Sequence, residues 1–150
     1  MTSKKNATEE TTEPTTTPPN WKIPPTKVAS DDCAIYVGRV IEDGEITQEG
    51  TPYYVHEGEW VDLIPCRSLA EVMALSDIGA SAQSGSGALR ELCQVLSERI
   101  VAWNWTDMAT EPLPQPHNTP AVLERLTDDE LMWLLSAAQG KETTAARKNA

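Results

Sequence analysis

Residues 88–103 read ALRELCQVLSERIVAW, and the spacing of their apolar side chains sets the character of the chain. Leu89, Leu92, Leu96, Ile100 and Trp103 recur at intervals of three and four, which places them on one face of a helix. Cys93 falls on the same side and reads as a small core hydrophobe rather than a reactive thiol. Arg90, Glu91, Glu98 and Arg99 fill the other face. The pattern predicts a helix from about Ala88 to Trp103.

Working outward toward the C-terminus, Trp103-Asn104-Trp105-Thr106-Asp107 leads into Glu111-Pro112-Leu113-Pro114-Gln115-Pro116. Each proline there excludes helix at the residue before it. Thr119-Pro120 restarts a short helix that ends at Leu126, with Thr as its N-cap. Thr127-Asp128-Asp129-Glu130 then has the form of a capping box, with its acids where the helix dipole favours them. Leu131, Leu134, Leu135 and Ala138 form the apolar face of the last helix, and Gly140 sits at its C-terminal end. Residues 141–150 read as a frayed tail.

Toward the N-terminus, Ser68-Leu69-Ala70-Glu71 is another capping box. It opens a helix whose stripe is Leu69, Val72, Met73 and Ser76 and which Gly79 is expected to stop. Residues 79–87 read as a flexible connector that fits neither the Walker nor the nucleophile-elbow pattern. The stretch 33–65 is strand-like. Ala34–Ile41 is rich in β-branched residues, Asp43-Gly44 is a hairpin turn, and Pro52–His56 and Trp60–Ile64 are two further strand candidates. Residues 1–27, with eight Thr and five Pro, bury too little apolar surface to offset ordering and are expected to be disordered. Trp21 and Ile23 read as incidental tail residues or as a short linear anchor.

The fold expected is therefore α+β. It has a disordered tail (1–27), one domain (28–140) in which a small antiparallel β region precedes a mainly helical part with four helices, and a frayed end (141–150). An all-helical domain with irregular N-terminal segments is the alternative.

The 150 residues carry 12 Lys and Arg against 23 Asp and Glu, a net charge of -11. Such a chain is poorly suited to bind nucleic acid through phosphates or to sit on an anionic membrane. Seven acids (Glu42, Asp43, Glu45, Glu49, Glu57, Glu59 and Asp62) lie between residues 41 and 62 with no Lys or Arg among them. They read as a solvated hairpin face or as a patch for a basic partner. No run approaches a membrane span and no signal peptide is visible. Cys33, Cys66 and Cys93 are odd in number and widely spaced, which disfavours a disulfide scaffold. His56 and His117 lie in different segments without ligands at metal spacing. No catalytic, cofactor or metal site is expected, and the chain reads as non-enzymatic.

Three phrases, in order, resemble the tail assembly chaperones of siphophages, the small proteins encoded before the tape-measure gene. They are the helix ending in Val101-Ala102-Trp103-Asn104-Trp105-Thr106-Asp107, the loop Pro112-Leu113-Pro114-Gln115-Pro116, and the helix from Leu126 through Thr127-Asp128-Asp129-Glu130-Leu131 to Gly140. Gly58-Glu59-Trp60-Val61-Asp62-Leu63 followed by Ser68-Leu69-Ala70-Glu71 also suits such proteins. Met108-Ala109-Thr110-Glu111 departs from the tight Asp-Gly turn often found in the loop.

The resemblance implies a non-catalytic protein that coats the tape-measure protein, keeps it soluble and helps recruit tail-tube subunits. It would act in the host cytoplasm and be absent from the mature virion. Self-association is left open. Partner-contact candidates are Trp105, Leu113 and Trp133, the last because it falls off the Leu131/Leu134/Leu135 face. A structural minor tail or neck subunit, and an acidic adaptor or decoy, are the rival readings.

Overall fold

A computed structural model describes residues 24–140 apart from 83 and 84. Residues 1–23 and 141–150 lie outside it, so the expected tail and frayed end are not addressed beyond Pro24. The described residues form the α+β fold expected, with small antiparallel sheets and helices. Its elements are β1 (Thr26–Ala29), β2 (Ile35–Val37), β3 (Val40–Glu42), β4 (Glu45–Gln48), β5 (Thr51–Tyr53), β6 (Trp60–Leu63), α1 (Leu69–Ala82), α2 (Ser86–Arg99), β7 (Ile100–Trp103), α3 (Pro120–Leu123) and α4 (Asp128–Ala138).

The central sheet has the order β1-β6-β7, antiparallel throughout. β6 is its middle strand, and Val61, Asp62 and Leu63 are all buried. Asp62 stands opposite Lys27 on β1, and the two form a salt bridge at 3.4 Å. Lys27 also lies 3.4 Å from the centroid of the Trp60 ring. β1 corrects the expected tail boundary: Thr26 and Lys27 belong to the sheet, not to the tail.

β7 corrects a second boundary. The helix ends at Arg99, and Ile100–Trp103 are extended and paired with β6. Ile100 and Trp103 are core residues as expected, but as the two inward ends of a strand.

The other four strands form a ribbon in two parts. β2 pairs with β5, and β3 pairs with β4 further out. The expected continuous strand 34–41 is thus interrupted at Gly38 and Arg39. Gly50 sits opposite this break with φ +83°, and a Cβ there would lie 2.8 Å from Arg39 N and Val37 O, so the kink requires glycine. At the tip, Asp43 and Gly44 both have positive φ (54° and 79°), as a two-residue I′ hairpin demands.

The helices pack around α2, whose Leu92, Cys93 and Leu96 are fully buried. α1 presents a different face from the one its stripe suggested. Leu69 and Met73 are exposed, while Leu75 and Gly79 face inward. Gly79 does not stop the helix, because α1 continues to Ala82. It serves instead as a contact point, where a Cβ would collide with Leu135 Cδ2 of α4. Ser68 caps α1 through Glu71 N at 3.2 Å, but Glu71 reaches back to Arg67 N rather than to Ser68. Its carboxyl is held below the ordinary range, first by that backbone N–H and then by Arg99. The box on α4 is complete in both directions between Thr127 and Glu130. Thr119 precedes the single-turn α3 without making a side-chain cap bond.

Candidate functional site

Two features stand out: a buried polar cluster and an open cleft. The cluster is centred on His56, which is fully buried. Its Nδ1 lies 2.7 Å from Glu59 Oε1 and its Nε2 lies 2.6 Å from Glu130 Oε2. Thr106 donates to Glu59 from both its N–H and its hydroxyl, at 3.1 and 2.6 Å. Thr127 donates to Glu130 Oε1 from its N–H at 2.8 Å. Burial pushes the Glu130 carboxyl up, but the hydrogen bonds from His56 and Thr127 outweigh it, and the pKa is lowered. Glu130 thus completes the cap of α4 with one oxygen and holds His56 with the other.

The rings stack on this cluster. His56 lies 3.7 Å from Trp105 at 11°, and Trp105 lies 4.8 Å from Trp103 at 9°. The Trp105 indole N–H donates to Ser30 Oγ at 2.9 Å. Trp105 is fully buried and Leu113 is nearly so, so neither presents a surface to a partner in this fold; both are corrected to core residues. Trp133 is corrected in part. It is half-buried against Trp105 (6.0 Å between centroids), and its indole N–H donates to Asp32 Oδ1 at 3.1 Å.

The Trp and Leu side chains of the phrases that carry the resemblance therefore build the interior. Asn104 continues the β6–β7 ladder, taking the Trp60 N–H on its side-chain oxygen at 2.7 Å. Asp107 gathers the N–H groups of Ala109 and Glu111, closing the loop without an Asp-Gly turn. The Gln115 amide pairs with both the N–H and the carbonyl of Trp103, and Pro114 accepts the Trp103 indole N–H.

The cluster offers little chemistry. Its carboxylates are occupied by His56, Thr106 and Thr127. Cys33 is buried, and its thiol is pushed far up, by burial first and then by Glu130 and the neighbouring acids. Burial likewise raises Cys93, to about 11. Among the described residues, no group of His, Cys, Asp and Glu could hold a metal ion. No described helix is long and apolar enough to cross a membrane.

The cleft lies between the ribbon and the helices. It has a volume of about 610 Å³ and is lined by Arg39 and Ile41 of the ribbon, Ala82, Gly85 and Leu89 at the α1–α2 junction, and Asp128, Asp129, Leu131 and Met132 of α4. Asp129 fixes the root of the ribbon: its Oδ2 accepts the Tyr36 N–H at 3.0 Å, and its Oδ1 pairs with Arg39 Nη1 at 3.2 Å. Arg39 also lies 4.4 Å from the Tyr36 ring. Beyond this anchor the ribbon is bare. Val37, Ile41, Ile46, Tyr53 and Tyr54 are 48–60% exposed.

Nothing in the sequence singled out His56 or the cleft. The triplet spacing of His56 and Glu59 was visible, but Glu130 lies 74 positions further on. Compared with known proteins, the chain matches no family model, no curated protein and no solved structure.

Proposed function

We propose that this protein is a non-catalytic chaperone of phage tail assembly, holding the tape-measure protein in soluble form and helping recruit tail-tube subunits before leaving the particle. The observation that carries this reading is the apolar ribbon and cleft on a strongly acidic domain. Between residues 24 and 140 there are six Lys and Arg against nineteen Asp and Glu. Exposed apolar surface of this kind marks a binding site for another chain, and the charge keeps many copies on one client from coalescing. The ordered resemblance of the Trp, Pro-loop and capping-box phrases supplies the identity of that client. The buried cluster, closed on itself, fits a binding role better than a reaction.

The test is co-expression with a tape-measure protein, the client this reading expects to be encoded in the next reading frame. The soluble fraction of the tape-measure protein is expected to rise several-fold, and purified particles are expected to lack the chaperone. An unchanged soluble fraction, or stoichiometric retention in particles, overturns the reading and favours a structural tail subunit.

A further inference from the structure

We propose that the cleft between the ribbon and α4 docks a basic, apolar-faced helix of a partner protein, a proposal that rests on the chaperone reading above. The first observation is the shape and lining of the cleft. One wall is Ile41, which is paired across the ribbon with Ile46; the two are 60% and 48% exposed. The other wall is Leu89, Leu131 and Met132. An apolar ridge entering between them would cover both walls at once, as helices do when they lie in grooves.

The second observation is charge. The tip and outer strands of the ribbon carry Glu42, Asp43, Glu45 and Glu49, all exposed, and Asp128 stands exposed at the opposite rim. None of the five takes part in a salt bridge among the described residues. The cation nearest the cleft, Arg39, is committed to Asp129. A helix with apolar residues at i, i+3 and i+4 and Lys or Arg at its flanks would bury the first set in the cleft and bring the second to these carboxylates. A second copy of this chain would meet like charge instead, which disfavours self-docking at this face. Steering by such a field speeds encounter and makes it sensitive to salt.

The probe is a fluorescein-labelled synthetic peptide of about 18 residues, five helical turns, with Leu along one face and Lys elsewhere. Two controls replace Lys by Glu, or Leu by Ser. Binding to the full chain is followed by anisotropy at low and high salt. The Leu/Lys peptide is expected to bind, and both controls to bind at least tenfold more weakly.

The decisive variant is I41S/I46S, which removes the apolar ridge while leaving the net charge unchanged. It is expected to weaken binding at least tenfold, whereas L69S/M73S, at the exposed face of α1, is expected to leave binding unchanged. Both pairs are exposed, and circular dichroism confirms that each variant folds. Equal affinity for wild type and I41S/I46S, or for the Leu and Ser peptides, overturns the proposal in favour of unspecific attraction to an acidic surface. A dimer in sedimentation that I41S/I46S dissolves overturns it in favour of a second copy.

The two readings fail separately. If the peptide does not bind but the tape-measure protein is still kept soluble, the cleft assignment falls and the chaperone stands. If the peptide binds through the cleft but the tape-measure protein gains nothing, the docking site stands and the client was misjudged.

Discussion

Replacing Glu130 by Gln separates the two tasks that this side chain performs. Gln keeps the shape and still offers an oxygen to the Thr127 N–H, so the cap survives. What disappears is the charge facing His56 Nε2 at 2.6 Å. A buried hydrogen bond to a charged group contributes about 1.5–3 kcal/mol; with both side chains shielded from water we expect the upper end, about 3 kcal/mol. Thr127→Ala, which removes the cap but keeps the pair, is expected to cost about 1 kcal/mol. Urea unfolding followed by tryptophan fluorescence reads both. At about 2 kcal/mol per molar of urea, E130Q shifts the midpoint down by about 1.5 M. The pH dependence supplies the sign. The carboxyl is depressed in the folded state, so its contribution is fully present above the unfolded Glu value of about 4.3 and is lost as pH falls through the lower folded value. Other carboxylates titrate in both proteins and cancel in the difference. The gap between wild type and E130Q should therefore be widest near neutrality and narrow in acid. A variant within about 0.5 kcal/mol of wild type at neutral pH, or a gap that stays constant into acid, would refute the assignment of stabilising charge to this pair.

Trp105→Ala removes the middle ring of the stack and orphans Ser30, and a loss of about 3–5 kcal/mol in denaturant titration is expected. Gly79→Ala gains about 1 kcal/mol of helix propensity but meets Leu135. Overpacking of about 1–3 kcal/mol is expected to outweigh that gain, so the variant melts lower than wild type in a thermal scan. Disulfide-exchange labelling of the native chain near pH 8 should reach the half-buried Cys66 first, with Cys33 and Cys93 reacting only on unfolding. Asp129→Ala is expected to cost about 1–3 kcal/mol, since the pair is part-buried and its loss leaves Arg39 without that partner, and to raise hydrogen exchange at the Tyr36 amide, whose acceptor it removes.

What could be read from the sequence was what neighbours along the chain decide. The Thr127 box and the Leu92, Cys93 and Leu96 part of the α2 stripe are local, and both stand as expected. The Asp43-Gly44 turn is equally local. Ile100 and Trp103 misled because a separation of three fits a helix face and, in this strand, both buried ends. β1 was invisible because its order comes from β6, more than thirty positions away. α1 was turned the wrong way because one of its two buried positions is a glycine, which carries no hydropathy signal. The partner candidates Trp105 and Leu113 turned out to be interior for a related reason. Aromatic and proline-rich phrases look alike whether they face a partner or fold back on the strand beside them, and here Gln115 ties the loop to Trp103. The cleft had no local signal at all, since its walls come from the ribbon, α2 and α4 together.

The polar links that close the domain also set the order in which it can form. Ser30 meets Trp105 across 75 positions, His56 meets Glu130 across 74, Tyr36 meets Asp129 across 93 and Asp32 meets Trp133 across 101. Contacts of such separation fold slowly, because the loop entropy must be spent before the contact repays it. On a ribosome adding about 5–20 residues per second, the Tyr36 amide waits about 5–20 s before Asp129 is even synthesised. Through that interval the first half of the chain has strands without their closing helix, and His56 has only one of its two carboxylates. Completion arrives in one step with α4, which caps itself, seats the histidine and anchors the ribbon through three adjacent kinds of bond. A nascent chain stalled before Asp128 should therefore be protease-sensitive throughout, and one stalled with α4 outside the exit tunnel should be resistant.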